Sequence, residues 1–264
     1  MNELLQVEKV SVRYGELEAV RSVSFTLAAG ETLGLVGESG CGKSSLGRAI
    51  LSLEPIAAGR VLFGGRNVTA LKGPALKQFR RQAQMVFQDP FGSLNPRMSV
   101  GSAIEEVLYV HRMGASCSAR RERVAALFED VGLNPDWLNR YPHEFSGGQR
   151  QRIGIARALA LEPKLLIADE PVSALDVSVQ ADIIQLLKKI QRERGLAYLF
   201  IGHDLAVVRE MSDRIAVMFK GEIVETGTSN QVCDDPQHSY TQKLLSAVPD
   251  IDKALRGAEQ WIKG

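Results

Sequence analysis

The sequence contains few cysteines, and their positions match no common site. Cys41, Cys117 and Cys233 are far apart in the 264-residue chain and have neither metal-ligand nor disulfide spacing. Sparse, unpaired cysteines are typical of a reduced, cytosolic setting. The pattern therefore argues against a disulfide framework.

Long apolar runs are also missing. No apolar segment approaches the length needed to cross a bilayer, and the N-terminus has no basic lead followed by a hydrophobic stretch. We therefore expect neither a membrane span nor a signal peptide. If the protein works at a membrane, it works there through a partner.

An excess of charge of either sign is absent as well. The 32 basic and 31 acidic residues leave a formal net charge of +1. Binding to nucleic acid would favour a clustered basic face, and none stands out. We therefore expect no nucleic-acid partner.

The pattern of apolar residues predicts a mixed α/β fold. Short β-prone segments occupy residues 5–14, 22–27, 32–36 and 60–63, whereas residues 100–161 are helical in character. Alternation of strands and helices then returns, with elements at residues 165–168, 179–190, 199–201, 214–219 and 222–226. No linker separates independent domains. We expect a parallel α/β core with a β-rich start, a helical insertion and a short C-terminal extension.

One glycine-rich segment fits the phosphate-binding pattern G-x-x-x-x-G-K-[ST]. Its residues are Gly37, Glu38, Ser39, Gly40, Cys41, Gly42, Lys43 and Ser44, and Ser45 follows in the helix. The glycines let successive N–H groups face phosphate oxygens, and the helix adds its positive N-terminal dipole. Lys43 would neutralise the β- and γ-phosphates, and the Ser44 hydroxyl would bind Mg²⁺. An ordinary glycine turn would not need Lys43.

Two acids follow the apolar segment 165–168. Asp169 and Glu170 would lie at the carboxyl edge of the sheet, where ligands of open α/β sheets bind. Asp169 would hold Mg²⁺ through its water shell, and Glu170 would polarise the water that attacks the γ-phosphate. Alone, such a pair is commonly a solvated loop, but the phosphate loop in the same unit favours catalysis.

A second glycine loop narrows the choice among ATPases. Ser146, Gly147, Gly148 and Gln149 precede the acid pair and open a helix. Exposed N–H groups at this helix start would form a second anion site. With these motifs the chain resembles the ABC ATPase family from about residue 5 to residue 249. The resemblance implies a P-loop NTPase core with an antiparallel β subdomain and an inserted α-helical subdomain at about 90–161.

The same resemblance implies roles for further residues. Tyr14 would stack on adenine, and Gln88 would contact Mg²⁺ and water and report to the permease. His203 would contact the γ-phosphate, and residues 173–176 would form a loop across a dimer. The second glycine loop would cap ATP that is bound by the opposite subunit of a head-to-tail dimer. Six motifs in the right order argue strongly against coincidence.

Residues 89–97 and 238–249 are similar to the branch of this family that serves di- and oligopeptide, nickel and opine importers. Two residues depart from this pattern: Val172 stands where Thr is usual, and Gly202 stands where Ser or Thr is usual. Many members also carry a cysteine-rich tail. Here only Cys233 lies near the end, so we predict no iron–sulfur cluster.

Three alternatives are weaker. A GTPase would need an Asn-Lys-x-Asp guanine reader, which the chain lacks. An ABC ATPase acting on nucleic acid or the ribosome usually has a coiled-coil or zinc insertion, or two cassettes. A non-catalytic module would have lost Glu170.

We therefore expect an importer subunit that binds and hydrolyses ATP with Mg²⁺ at the cytoplasmic face of the membrane. Its single domain would span residues 1–249, and 250–264 would form a tail. Its partners would be permease subunits, a second ATPase subunit (itself or a paralogue) and, indirectly, an extracytoplasmic solute-binding protein.

Two surface expectations follow. The helix N-terminus and Lys43 predict that the pKa of Cys41 is lowered and that its thiol is open to maleimide until ATP shields it. Phe91 and Leu94 are predicted to be exposed and to meet the permease.

Overall fold

A computed structural model describes residues 3–89, 92 and 94–246. Its centre is a six-stranded sheet in the order β10-β9-β3-β8-β7-β6. These strands are β3 (Thr32–Val36), β6 (Ala83–Val86), β7 (Leu165–Asp169), β8 (Ala197–Gly202), β9 (Arg214–Phe219) and β10 (Glu222–Thr228). Neighbouring strands from β9 to β6 run parallel, and β10 pairs antiparallel with β9. The predicted hairpin at residues 214–226 is confirmed.

A second, antiparallel sheet has the order β2-β1-β4-β5. It contains β1 (Glu3–Tyr14), β2 (Leu17–Ala28), β4 (Ala58–Phe63) and β5 (Arg66–Asn67). This is the β-rich start that the sequence predicts, although β2 begins five residues before the predicted segment.

Helices cover the central sheet and fill the insertion between β6 and β7. In the described residues they are α1 (Lys43–Ile50), α2 (Gly73–Gln82), α3 (Val100–Val110), α4 (Cys117–Asp130), α5 (Gly147–Leu159), α6 (Val177–Arg194), α7 (Leu205–Met211), α8 (Ser229–Asp234) and α9 (Ser239–Ser246). Two 3₁₀ turns, Pro135–Asn139 and Pro142–Glu144, join α4 to α5. None of the described helices is apolar over a stretch long enough to span a membrane.

The central strands β3, β7 and β8 are buried on both faces. Successive side chains point to opposite faces, so alternate residues enter two separate apolar cores. Leu199 and Ile201 of β8 pack into the core beneath the antiparallel sheet, whereas Tyr198 and Phe200 pack against the helical side. The short apolar runs of the sequence therefore serve two cores at once. The carboxyl ends of β3, β7 and β8 are left at one edge of the sheet.

The end of α6 shows how local chemistry sets an element boundary. Gly195 follows the helix with φ = 63°, a left-handed conformation that suits glycine, and its N–H donates to the carbonyl of Gln191. The predicted helix end at Gly195 is confirmed.

Candidate active site

The glycine-rich loop connects β3 to α1 and is tightly enclosed. Gly37 has φ = 157° and Gly42 has φ = 106°. A Cβ atom at Gly37 would lie 2.1 Å from the carbonyl oxygen of Met218, and one at Gly42 would lie 2.2 Å from that of Ala19. Larger residues are therefore excluded at both positions by neighbouring backbone.

Lys43 lies inside the curve of this loop. Its side chain is almost fully buried, and its Nζ donates hydrogen bonds to the carbonyls of Gly37 at 2.8 Å and Glu38 at 2.9 Å. A buried ammonium group needs such partners. The loop thus presents a positive charge at the position where the sequence predicts phosphate.

Ser44 and Asp169 meet at the end of the sheet. The Ser44 hydroxyl donates to Asp169 Oδ1 at 2.8 Å, and Asp169 is 2% exposed. Burial raises the pKa of Asp169, against the opposing effect of the Ser44 hydrogen bond. A cation beside this carboxylate would relieve the cost of its burial. Hydroxyl and carboxylate oxygens are ligands that suit Mg²⁺.

Gln88, Glu170 and His203 converge on a single atom. Gln88 Nε2 donates to Glu170 Oε2 at 3.2 Å, and His203 Nδ1 lies 3.0 Å from the same oxygen. Glu170 has φ = 46°, and its N–H donates to the carbonyl of Ile201 at 2.9 Å. A left-handed, non-glycine backbone costs free energy, and such residues cluster at functional sites. The carboxylate is thus held by its backbone and by two side chains.

These groups surround one open cleft of about 440 Å³. Most predicted nucleotide-site residues line it, namely Tyr14, Ser39, Gly40, Gly42, Lys43, Ser44, Ser45, Gln88, Glu170 and His203. Leu17 and Ala19 also line the cleft, and the sequence gives no signal for them except their nearness to Tyr14. Gly37, Glu38 and Cys41 do not line it. They form the back of the loop, although all three belong to the predicted motif.

The second glycine loop lies outside this cleft. Ser146 caps α5: its Oγ accepts the N–H of Gln149, and Gln149 Oε1 accepts the N–H of Ser146. A Cβ at Gly148 would lie 2.5 Å from Val179 Cγ1, so this turn is packed against the start of α6. The structure therefore does not join Ser146, Gly147, Gly148 and Gln149 to the phosphate loop within one chain.

The predictions that the pKa of Cys41 is lowered and that its thiol is accessible are wrong. Its side chain is 8% exposed, and burial raises the pKa of the thiol more than the neighbouring Lys43 lowers it. The helix dipole and the lysine do favour a thiolate, but the thiol faces the interior beneath the loop. It is not placed to react readily with maleimide.

The exposure predicted for Leu94 is also wrong. Leu94 is 3% exposed and belongs to the apolar core that includes Val100 and Ile104. Leu94 packs against other residues of the helical insertion and is therefore not available to a partner. Phe91 and the tail at 250–264 lie outside the described residues.

Family comparisons identify the chain. The model described as "ABC transporter" matches residues 20–173, and "Oligopeptide/dipeptide transporter, C-terminal region" matches residues 224–264. An oligopeptide transport ATP-binding protein OppF from Streptococcus mutans is 54% identical over 96% of this chain and 84% of its own length. A glutathione import ATP-binding protein GsiA from Pectobacterium atrosepticum is 56% identical over 93% of this chain but 39% of its own.

Solved structures of ATP-binding cassettes have the same fold. A dimeric post-hydrolysis state of the ATP-binding cassette MJ0796, bound to ADP and phosphate, is 30% identical with a TM-score of 0.77, over 85% of this chain and 98% of the other. The cassette cbiO1 from Clostridium perfringens has a TM-score of 0.81 at 26% identity, over 97% and 100%. The chain therefore belongs to the ATP-hydrolysing subunits of ABC transporters, in the group with an oligopeptide/dipeptide C-terminal region, and its predicted fold and family are confirmed.

Proposed function

We propose that this chain powers uptake of a short peptide through a separate permease, working as a peripheral subunit on the cytoplasmic face of the membrane. The C-terminal match and the names of the oligopeptide and glutathione relatives support a peptide, ahead of a nickel complex or an opine. A solute-binding protein on the other side would deliver the solute and touch this chain only indirectly.

The observation that carries the catalytic proposal is the convergence of Gln88 and His203 on Glu170 at the mouth of the phosphate loop. Both contacts are made to Glu170 Oε2. In the described part of the chain, Oε1 is thus left to accept a proton from the attacking water. Glu170 is the general base, and Gln88 and His203 hold it in place. His203, 54% exposed in its side chain, can also reach the γ-phosphate.

The phosphate loop binds the nucleotide on the opposite wall of the cleft. Backbone N–H groups from Ser39 to Ser45 and the Lys43 ammonium neutralise the phosphates. Lys43 gives up its carbonyl partners in part when a phosphate oxygen offers a stronger, charge-assisted bond. Tyr14, 41% exposed at the end of β1, stacks on the adenine ring.

Ser44, Asp169 and Gln88 would hold Mg²⁺. The Gln88 nitrogen faces Glu170, so its oxygen is the atom available to a cation. No group of three or more His, Cys, Asp and Glu side chains in the described residues could hold a metal alone, so phosphate oxygens would complete the coordination. When bound, Mg²⁺ would supply charge neutralisation of the β- and γ-phosphates.

A second ATPase subunit completes the site. Ser146 and Gln149 cap α5 with their own N–H groups, so the backbone of Gly147 and Gly148, outside this chain's own cleft, is the part of the loop proposed to bind the partner's ATP in a head-to-tail dimer. The dimer is formed with a second copy or with a paralogue. A solved relative of the same fold is described as dimeric.

The permease docks in a groove between the sheet and the helical insertion. This groove of about 300 Å³ is lined by β6, by Val107 and His111 of the α3 end, and by Gln151 and Arg157 of α5. Gln151 is 2% exposed, and its Nε2 has no partner among the described residues. A short permease helix can fill the apolar walls and supply the missing acceptor.

The chain is proposed to form a single ATPase domain followed by a short tail. One ATPase domain spans residues 1–249, with a helical subdomain at about 90–161, and residues 250–264 form a tail.

Transport in cells that lack the chain tests the proposal. The wild-type chain should restore uptake of a radiolabelled tripeptide, and Lys43→Ala should not. Lys189→Ala, which removes an exposed lysine paired with Glu193, is the matched control and should restore it. Restored uptake with Lys43→Ala would overturn the ATPase role. Uptake of a nickel chelate or an opine in place of the peptide would overturn the substrate.

A further inference from the structure

The C-terminal helix α9 reaches back to the phosphate loop. The Tyr240 hydroxyl accepts a hydrogen bond from the backbone N–H of Glu38 at 3.0 Å, across 202 positions of sequence. Tyr240 is 7% exposed, and its ring packs on Phe219 with centroids 4.1 Å apart. The contact is therefore partly buried, and Tyr240 is held both by Phe219 and by the loop.

The segment that carries Tyr240 is fixed independently of this hydroxyl. The Glu225 carboxylate on β10 accepts the N–H groups of Gln237 at 2.8 Å and His238 at 3.1 Å. His238 Nδ1 then accepts the N–H of Tyr240 at 3.1 Å. Removal of the hydroxyl should therefore leave the helix docked.

A contact at the back of the loop matters because ordering the loop's glycines costs conformational entropy. Glycine loses more conformational freedom on ordering than other residues, and a nucleotide binds only the ordered loop. Met218 and Gly221 of the β9–β10 hairpin confine the ends of the loop, and Gly221 N–H donates to the Cys41 carbonyl at 3.1 Å. The Glu38 N–H lies at the back of the loop, outside the cleft lining. Its bond to Tyr240 fixes a peptide that phosphate cannot fix.

We propose that Tyr240 is a positioning residue of the phosphate loop: its hydroxyl holds the Glu38 peptide so that the loop is ordered before the nucleotide arrives. This inference rests on the proposed role of the loop in binding phosphate. Through this hydrogen bond, the C-terminal region matched at residues 224–264 directly contacts the phosphate loop. Burial raises the pKa of Tyr240, so the hydroxyl stays un-ionised at neutral pH.

Tyr240→Phe in the full chain tests the inference, because it keeps the ring on Phe219 and removes only the hydroxyl. The Kd for a fluorescent ATP analogue and the KM for ATP should rise about fivefold, the change expected from one lost hydrogen bond. The kcat at saturating ATP should stay unchanged, since the bound nucleotide orders the loop. In the nucleotide-free protein, the Glu38 amide should exchange its hydrogen faster.

Tyr198→Phe is the matched control. Tyr198 is fully buried and donates its hydroxyl hydrogen to the Leu187 carbonyl at 3.3 Å, on the opposite side of the central sheet from the antiparallel sheet. Its loss should lower the melting temperature while Kd and KM stay at wild-type values.

The outcomes distinguish a failure of the positioning role of Tyr240 from a failure of the proposed function. If Tyr240→Phe leaves both the Kd and Glu38 exchange unchanged while Lys43→Ala abolishes binding, the positioning role is overturned and the phosphate loop stands. If Lys43→Ala binds the analogue as well as the wild-type chain does, the proposed function itself fails. An equal rise of KM in Tyr198→Phe would make the Tyr240 effect a general loss of stability and would also overturn the inference.

Discussion

Tyr14 is the residue whose proposed role in nucleotide binding is simplest to test. It is exposed and lines the cleft at the end of β1. Base–aromatic stacking contributes about 1–3 kcal/mol, so Tyr14→Ala should weaken ATP binding about fivefold or more, whereas Tyr14→Phe should stay close to wild type. Isothermal titration with a non-hydrolysable ATP analogue measures both.

Tyr109→Ala is the control for this prediction. Tyr109 on α3 is 68% exposed and lies outside the cleft lining, so its removal should not change affinity. Equal binding by Tyr14→Ala and Tyr14→Phe would make Tyr14 a packing residue.

Thiol reactivity tests whether Cys41 is buried beneath the phosphate loop. Cys117 is exposed at the start of α4, whereas Cys41 is buried and its pKa is raised by that burial. Maleimide at neutral pH should therefore label Cys117 first and Cys41 slowly, with or without ATP. Mass spectrometry of digested, labelled protein gives the two rates.

Cys117→Ser should remove the fast phase and leave ATPase activity intact after brief labelling. If Cys117→Ser loses activity quickly on labelling and ATP prevents the loss, then the Cys41 thiol is accessible to maleimide and is not buried.

Motif spacing predicts which residues meet, but not how deeply each is buried. Spacing and the rule for the edge of a sheet are enough to predict that Ser44 and Asp169 lie together. Cys41 is buried in an apolar core that it shares with Met218, which comes much later in the sequence. No local pattern could have shown it. Leu94 is buried for a similar reason, because the helical insertion folds over it.

Among the secondary-structure elements, the start of α5 has the most specific proposed function. Ser146 caps this helix as Ser116 caps α4, each Oγ accepting an N–H three residues on. Either serine changed to alanine should cost about 1 kcal/mol of stability. Only Ser146→Ala should also lower ATPase activity, since this hydroxyl would face the partner subunit's nucleotide. Melting curves and turnover of the two variants check this.

Equal ATPase activity in Ser146→Ala and Ser116→Ala would contradict a role for the second glycine loop beyond capping.

Element prediction works where the apolar signal is strong and fails for the edge strand β6 and the helix α2 before it. Strand β3 is predicted at residues 32–36, as found, because all five of its residues are buried. Strand β6 has four residues, includes Gln84 and pairs only with β7 among the described strands. Helix α2 buries only Phe79. Neither has a periodic pattern long enough to distinguish it from a loop.

At the scale of the whole molecule, one chain holds two glycine-rich loops that do not meet, and both are proposed to bind phosphate. The cleft is lined by the phosphate loop, Glu170 and His203, whereas Ser146 and its neighbours face elsewhere. In the proposed head-to-tail dimer, a single subunit would supply half of each composite site. Such an arrangement would couple ATP binding to closure of the dimer, and the permease would use that closure.

Glu170→Gln tests this account most directly. The amide cannot accept a proton from water, so hydrolysis should fall at least about a hundredfold while ATP still binds. The variant should accumulate as an ATP-filled dimer with Mg-ATP, seen by analytical ultracentrifugation, and should revert to monomer with ADP. Glu162→Gln is the matched control, since Glu162 also has a left-handed backbone (φ = 53°) but lies on the surface beside Arg123, and it should behave as wild type. Near wild-type turnover by Glu170→Gln, or a monomer at saturating Mg-ATP, would contradict the account.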